Sequence, residues 1–264
     1  MNIYFRELRA NLKSLLIWSG IVILLIVIGT AKFSAFTDNP EMLKILDAYP
    51  PALLKAMSMK TFNLTTITGF FGVMFLYFGL MSAIAATMWG SDIISKEERN
   101  KTVEFSLVLP VSRSRIVTAK ALAALTNLAV FVLITWMASV VAAQNYNPDA
   151  GFYDFLALEM QAMFMIGLIF LALGLLLGCA MKQYKRAGST AVGIILGTYF
   201  ISVVSGMQEN LDFLKYVTPF KYFDAGELYR AGSLNSTYLL LSAAIIVICI
   251  AAAYWTYNRR DLYV

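Results

Sequence analysis

The chemically most suggestive stretch of this sequence is the charged segment 91–120, which separates two long apolar stretches. Its first half contains the run Lys-Glu-Glu-Arg at 96–99, whose members are good helix formers. An apolar patch follows and ends at Pro110, and Ser112 predicts the N-cap of the next helix. A compact charged helix of this kind can dock a soluble partner, and the same composition also suits a solvated connector. The residues alone leave both interpretations open.

Residue types that would support catalysis or metal binding are scarce. The chain contains no histidine, which excludes Ser-His catalysis, His-ligated haem and the H-E-x-x-H zinc signature. Cys179 and Cys249 both lie inside apolar stretches, so we predict small core residues and no disulfide. The sequence therefore predicts no catalytic residue, no cofactor-binding residue and no metal ligand on this chain.

The chain also contains six stretches without any charged residue, and the elements that they form must hold the charged segment in place. Because the hydrocarbon core of a bilayer is about 30 Å thick, roughly 20 apolar residues suffice for a spanning helix. The chain is 59% hydrophobic and only 14% charged, whereas soluble domains carry about 25% charged residues. The sequence predicts an all-α polytopic membrane protein with six transmembrane helices. The expected spans are approximately 14–34, 64–90, 117–143, 156–181, 188–206 and 237–257.

Shorter elements are expected outside the spans. Residues 1–13 place their apolar side chains roughly on one helical face, which predicts an N-terminal interfacial helix. An extension of the first span explains that pattern nearly as well. Residues 32–60 and 207–236 predict outer loops with short helices, and residues 91–116 predict a loop on the opposite side.

The basic residues indicate which side is which. If both termini lie on one side, that side holds 14 basic and 6 acidic residues. The other side then holds 7 basic and 10 acidic residues. The excess of Lys and Arg predicts that the first side is cytoplasmic. We therefore expect a multi-pass protein of the bacterial cytoplasmic membrane, with both termini in the cytoplasm. The basic balance then reflects topology and does not predict nucleic-acid binding.

The middle of each charge-free stretch lacks ionisable residues, which ion-coupled carriers usually place within the membrane. We therefore expect energy from elsewhere and an apolar path for the cargo. Adaptable methionine and aromatic side chains could form its walls, although packing or lipid contact explains each of them individually. The candidate translocation residues are Met74, Phe75, Phe78, Met81, Tyr199 and Met207.

Two Gly-x-x-x-Gly pairs lie in the predicted spans. Gly174 and Gly178 belong to the fourth span, and Gly193 and Gly197 to the fifth. Such pairs let two helices approach closely in lipid. Packing within the subunit is favoured over packing between subunits for both pairs.

The segment 97–120 resembles the inner loop of type-2 ATP-binding-cassette (ABC-2) export permeases. The family's pattern reads approximately E-x-x-x-G-T-x-E-x-L-L-x-x-P-V-S-R, followed by an apolar residue and a Lys. Lys101 stands where Gly is usual and Ser106 precedes a single Leu, but the Pro-Val-Ser-Arg core is intact. Six spans, both termini inside and the ending 258–262 resemble the family too. The matching residues are Thr102, Glu104, Leu107, Pro110, Val111, Ser112, Arg113, Ile116 and Lys120.

This resemblance implies a membrane subunit without its own ATPase. The sequence contains no G-x-x-x-x-G-K-[ST] motif, so ATP and Mg²⁺ would bind a partner ATPase. Two permease subunits, expected as a homodimer, would pair with two ATPase subunits. Residues 91–105 would be the cytoplasmic coupling helix, seated in a groove of the ATPase. Its expected contacts are Lys96, Glu97, Glu98, Arg99, Thr102, Val103 and Glu104.

The apolar spans and the acidic outer side favour export of an amphipathic or hydrophobic cargo. A peptide toxin, bacteriocin or antibiotic would fit, and the phenol-soluble-modulin exporters are one branch to which the chain could belong. Sodium and lipid-linked glycans are the alternative cargoes within the family. A membrane scaffold or sensor subunit without transport activity is the alternative outside it.

Overall fold

The structure is a computed structural model, and its regular elements are helices. It describes residues 3–38, 50, 54, 59, 61–99, 111–181, 184–207 and 209–259. Short 3₁₀ helices cover Gln144–Tyr146 and Glu209–Tyr216. The α-helices are α1 (Ile3–Asp38), α2 (Ile67–Arg99), α3 (Arg113–Ala143), α4 (Phe152–Ala180), α5 (Tyr184–Met207), α6 (Pro219–Tyr222), α7 (Ala225–Ala231) and α8 (Ser236–Arg259).

Six of the described helices, namely α1 to α5 and α8, are long and apolar enough to cross a membrane. This confirms the predicted all-α polytopic membrane protein. Residues 3–13 are the first turns of α1, so the alternative in which they extend the first span describes this segment. The second outer loop is helical, as predicted, and contains the Glu209–Tyr216 helix, α6 and α7. Most of the first outer loop lies outside the described residues.

Helices α2 and α4 pack side by side and form the core of the protein. The Ser82 hydroxyl donates to the carbonyl of Met163 at 3.1 Å, and the Thr87 hydroxyl donates to that of Phe170 at 3.2 Å. The contacts advance along both helices in the same direction, so α2 and α4 are parallel. Within the most apolar window of each helix, 67% of residues are buried, against 33% in α1, 22% in α5 and 17% in α8. The last three helices therefore form the periphery.

One of the two glycine pairs explains how closely α2 and α4 approach. A Cβ atom added at Gly174 would lie 2.4 Å from the carbonyl oxygen of Thr87, and one at Gly178 would lie 2.8 Å from that of Ser91. This confirms packing within the subunit for the pair in α4. Gly193 and Gly197 in α5 differ, because an added Cβ would meet no described atom within 4 Å. Among the described residues, these two glycines therefore do not bring α5 close to another helix of the same subunit.

Candidate coupling face and membrane core

The charged run 96–99 forms the C-terminal end of α2, on the side predicted to be cytoplasmic, which we call the inner side. The helix continues without a break to Arg99, so these residues are its last turn and move with a core helix. Of the expected ATPase contacts, Lys96, Glu97, Glu98 and Arg99 are placed there. Thr102, Val103 and Glu104 lie outside the described residues. The structure thus anchors the first half of the predicted coupling segment directly to the core.

The ammonium group of Lys96 faces α1. It lies 3.5 Å from a carboxylate oxygen of Glu7, whose side chain is only 3% exposed. The other oxygen of Glu7 accepts from Arg6 at 3.3 Å, and the Asn11 amide donates to the Glu7 carbonyl at 3.0 Å. Farther along the same pair of helices, Trp89 donates to Ser14 at 3.0 Å. The N-terminal turns therefore hold the inner end of α2.

Three residues of the Pro-Val-Ser-Arg…Lys motif hold the start of α3. Ser112 is its N-cap, as predicted, and accepts a hydrogen bond from the backbone N–H of Arg115 at 3.3 Å. The Arg113 guanidinium donates to backbone carbonyls at the end of α8, at 3.4 Å. Lys120 is 1% exposed and donates to the carbonyl of Ile93 in α2 at 2.6 Å. The motif therefore has a local structural role, which joins α3 to α2 and α8.

Further contacts secure the inner end of α8. The hydroxyls of Thr118 and Tyr254 lie 2.7 Å apart, and the guanidinium of Arg259 lies 4.6 Å from the ring centroid of Trp255. The Arg113 guanidinium lies at the last turn of α8, and a cation in that position also interacts favourably with the dipole of α8. The inner ends of α1, α2, α3 and α8 are therefore connected to one another.

The candidate translocation residues do not form one common surface. Met74 packs against Gly29 of α1, and Phe78 is completely buried. Phe75 and Tyr199 both lie near Phe220: Phe75 lines a cavity with it, and the Tyr199 ring centroid is 5.7 Å from that of Phe220. The remaining two are half-buried Met81 in α2 and Met207, 39% exposed, at the end of α5.

The cavity beside Phe220 lies between α2, α4, α5 and the second outer loop, and its volume is about 30 Å³. One wall is apolar and contains Phe75, Ile166 and Phe223. Another contains the ion pair of Lys221 and Asp224, whose charged atoms are 2.8 Å apart. The cavity therefore combines an apolar interior with a charged rim.

The loop that covers this cavity is held by its own hydrogen bonds. Asp224 caps the N-terminus of α7 by accepting from two backbone N–H groups. The Tyr222 hydroxyl donates to the carbonyl of Tyr216 at 2.6 Å. Burial, with a smaller contribution from neighbouring Tyr238, raises the pKa of Tyr222 above its ordinary value. Tyr222 is therefore held as the neutral donor.

Two ionisable residues, Lys120 and Glu159, lie within α3 and α4, each directly before a charge-free stretch whose middle was expected to lack such groups. Helix α4 begins at Phe152, so Glu159 lies two turns inside it, and the residue is fully buried. Lys120 lies near the start of the expected span 117–143 and within α3. A charge-free stretch ends at the first charge, so both residues lie outside these stretches although the expected spans include them.

The described residues contain no group of three or more His, Cys, Asp or Glu that could hold a metal ion. Both cysteines are buried and neither forms a disulfide among the described residues, in agreement with their prediction as small core residues.

Comparison with known proteins identifies the family. A profile described as "ABC-2 family transporter protein" matches residues 1–262 and so covers nearly the whole chain. No curated protein matches the sequence significantly. The match agrees with the six apolar helices and with the motif that joins α3 to its neighbours. The chain belongs to the ABC-2 family of transporter proteins.

Proposed function

We propose that this chain is the membrane half of an ATP-driven exporter that moves an amphipathic or hydrophobic cargo to the outer side. Membership of the family makes it a transmembrane transport subunit that works with an ATP-binding-cassette ATPase. Outward direction and the class of cargo are our proposal. The observation that carries it is the cavity with apolar walls and a charged rim between α5 and the α2–α4 core.

Energy would enter at the inner end of α2. Lys96, Glu97, Glu98 and Arg99, followed by Thr102, Val103 and Glu104, would dock on the ATPase, which binds ATP and Mg²⁺. The Glu7–Lys96 and Lys120–Ile93 contacts support this proposal, because a force on that end would reach α1 and α3 directly. We propose two copies of each subunit, with a homodimeric membrane part and cytoplasmic termini, in a bacterial cytoplasmic membrane.

The outer cavity suits part of an amphipathic molecule. Phe75, Ile166 and Phe223 offer apolar contacts, while Lys221 and Asp224 offer a charge of each sign. As it stands the cavity has room for little more than a water molecule. It would therefore have to widen during transport, which requires α5 to move relative to α2 and α4.

The cavity can be tested by filling it from α5. Ser202 lines the cavity, whereas Ser205, one turn away, does not; each is 5% exposed. The chain would be purified with its ATPase and reconstituted in inside-out vesicles, and ATP-dependent uptake of a fluorescent amphipathic helical peptide would be measured. We expect Ser202→Phe to reduce uptake at least tenfold and Ser205→Phe to reduce it far less, although both carry a similar overpacking cost. Equal effects of the two variants, or no uptake by the wild type, would refute the cargo proposal.

The coupling face needs a separate test. The double charge reversal Glu98→Lys/Arg99→Glu should abolish transport while the membrane part still folds. The matched control is Glu227→Lys/Arg230→Glu, which reverses an exposed outer pair 2.7 Å apart. Unchanged ATPase binding and unchanged transport in the first variant would show that the inner end of α2 is not the docking surface.

A further inference from the structure

Glu159 is an acidic side chain with no partner among the described residues. It is completely buried, and neither carboxyl oxygen has a hydrogen-bond partner. It also belongs to α4, one of the two most buried helices of the protein. Neither the proposed cargo cavity nor the coupling face includes this residue.

The register of the core places Glu159 inside the membrane domain, two to three turns from the outer ends of α4 and α2. Met163 pairs with Ser82, Phe152 with Phe71 and Phe170 with Thr87, so by these contacts each α4 residue lies near the level of the α2 residue 81–83 positions earlier. Glu159 is therefore level with Phe78, which is also completely buried. Phe78 follows the start of α2 by 11 residues, a distance of about 17 Å along the helix axis. Glu159 itself follows the start of α4 by seven residues, about 10 Å along that helix, so the residue lies within the apolar helices but nearer their outer than their inner ends.

Helix α3 adds a second unpaired group at this level. A Cβ atom at Gly167 would meet the side chain of Leu128, and α3 is antiparallel to α4. Eight residues nearer the outer end on each helix, Glu159 lies level with residue 136 of α3, which lies between Thr135 and Ser139. Ser139 is fully buried and its hydroxyl, like Glu159, has no hydrogen-bond partner among the described residues. Two unsatisfied polar side chains thus lie within about one helical turn of the same depth.

The groups that face this level supply no countercharge. Helices α2, α3, α5, α6, α7 and α8 all pack against α4. Near Glu159 their described titratable groups are tyrosines, and the charged groups lie toward the two ends of the bundle. The tyrosines are Tyr77, Tyr229 and Tyr238; the charged groups are Asp92, Lys96 and Lys120 on the inner side and Asp149, Asp154, Lys221, Asp224, Glu227 and Arg230 on the outer side.

An ionised carboxylate at this position would be very unfavourable. Removing an unpaired ion from water carries a large penalty, and an apolar side chain of similar volume is often more stable. A neutral acid costs less but still loses its hydrogen bonds to water. Glu159 is thus less favourable for this conformation than an apolar side chain of similar volume, and an ionisable residue inside a membrane helix commonly marks a proton or ion pathway.

We propose that Glu159 is an intramembrane proton-binding site. In the conformation described here, the carboxyl carries the proton. When the region between α3 and α4 admits water, the O–H bond breaks, the proton passes to a water molecule to give hydronium, and the carboxylate keeps the electron pair. Closure reverses the step, and Ser139 supplies a hydroxyl within about one helical turn of that depth. No metal ion is needed, in keeping with the absence of a clustered ligand set among the described residues.

Dicyclohexylcarbodiimide provides a direct test, because it modifies protonated carboxyl groups in apolar surroundings and leaves a mass tag. The full chain with its ATPase would be labelled in lipid nanodiscs over a range of pH and analysed by peptide mass spectrometry. We expect Glu159 to be labelled at least tenfold more than the exposed Glu227, and labelling to fall as the pH rises. Absence of labelling at every pH, or labelling that does not respond to pH, would overturn the proposal.

A role of Glu159 in the transport cycle rests on the proposed function, so a separate experiment tests it. Glu159→Gln has nearly the same shape and cannot ionise, so the variant should fold; it should lose at least half of the pH dependence of ATPase activity. Glu159→Asp should restore it, and Glu227→Gln should leave it unchanged. A wild-type pH profile in Glu159→Gln would refute proton exchange during turnover. The labelling experiment needs no transport activity, so it still decides proton binding if the exporter proposal fails.

Discussion

Replacement of Gly174 by alanine tests the packing on which the core depends. A Cβ atom at this position would lie 2.4 Å from the carbonyl oxygen of Thr87 and 2.9 Å from its Cα atom. Both are backbone atoms of α2, so no side-chain rotation can relieve the contact. The helices would have to separate by about 1 Å to restore an ordinary contact distance of 3.4 Å. Gly193→Ala in α5 is the matched control, since nothing described lies within 4 Å of its added Cβ.

The two substitutions are expected to change the free energy of unfolding in opposite directions. Overpacking of a tight interior typically costs about 1–3 kcal/mol, and the upper end applies here because the clash is with backbone. Alanine gains up to about 1 kcal/mol over glycine in a helix, which offsets part of that cost at Gly174. We therefore expect Gly174→Ala to be destabilised by about 2 kcal/mol and Gly193→Ala to be stabilised by up to about 1 kcal/mol. The two variants would differ by roughly a hundredfold in their folding equilibrium.

Unfolding in a titration of mixed micelles with sodium dodecyl sulfate, followed by tryptophan fluorescence, measures this difference. Four tryptophans are available, and Trp89 in α2 is 2% exposed, so its emission should report the separation of the core helices. If Gly174→Ala unfolded at the same or a higher detergent fraction than Gly193→Ala, the close contact of α2 with α4 would be refuted.

Three other predictions concern the inner and outer faces. Glu7→Gln and Lys96→Gln should each lower the free energy of unfolding by loosening the inner end of α2. In a double-mutant cycle, the double variant should be less destabilised than the sum of the two single variants by about 1 kcal/mol. Lys120→Met should cost about 1.5–3 kcal/mol by removing the charged donor to the Ile93 carbonyl, and it should increase hydrogen exchange at 93–99 more than Lys120→Arg does. Because the folded pKa of Tyr222 is raised, its contribution to stability is complete below the ordinary tyrosine pKa of about 10 and is lost as the pH rises through the folded value. Tyr222→Phe should remove that alkaline destabilisation, as measured by unfolding midpoints at several pH values.

Periodicity and charge were sufficient to predict the class of the protein. A stretch that excludes every charged residue over the thickness of a bilayer has few alternatives to a membrane helix, and the six helices follow from that constraint. The N-cap at Ser112 was predictable too, because capping depends on a hydroxyl and its immediate neighbours. Both are local properties of the chain.

Pairings between distant segments could not be predicted in this way. Nothing near Lys96 in the sequence indicates that its ammonium meets Glu7, 89 positions earlier. The two glycine pairs look alike as patterns, yet only that of α4 faces another helix within the described protomer. Glu159 falls within the expected span 156–181, but its burial was not predicted, because it depends on the helices that pack around it. Where interior ionisable groups lie therefore depends on tertiary contacts.

The arrangement of α2 also limits how the cavity can open. Its inner end carries the charged run, and its remaining length is locked to α4 through backbone contacts at Gly90, Gly174 and Gly178. A force on that end would therefore move α2 and α4 together as a rigid pair. Helix α5 has only 22% of its apolar window buried and is the more easily displaced neighbour. The cavity at their boundary would then widen by movement of α5 against the pair, so a cross-link between Gly79→Cys and Ser202→Cys should stop transport while ATP hydrolysis continues.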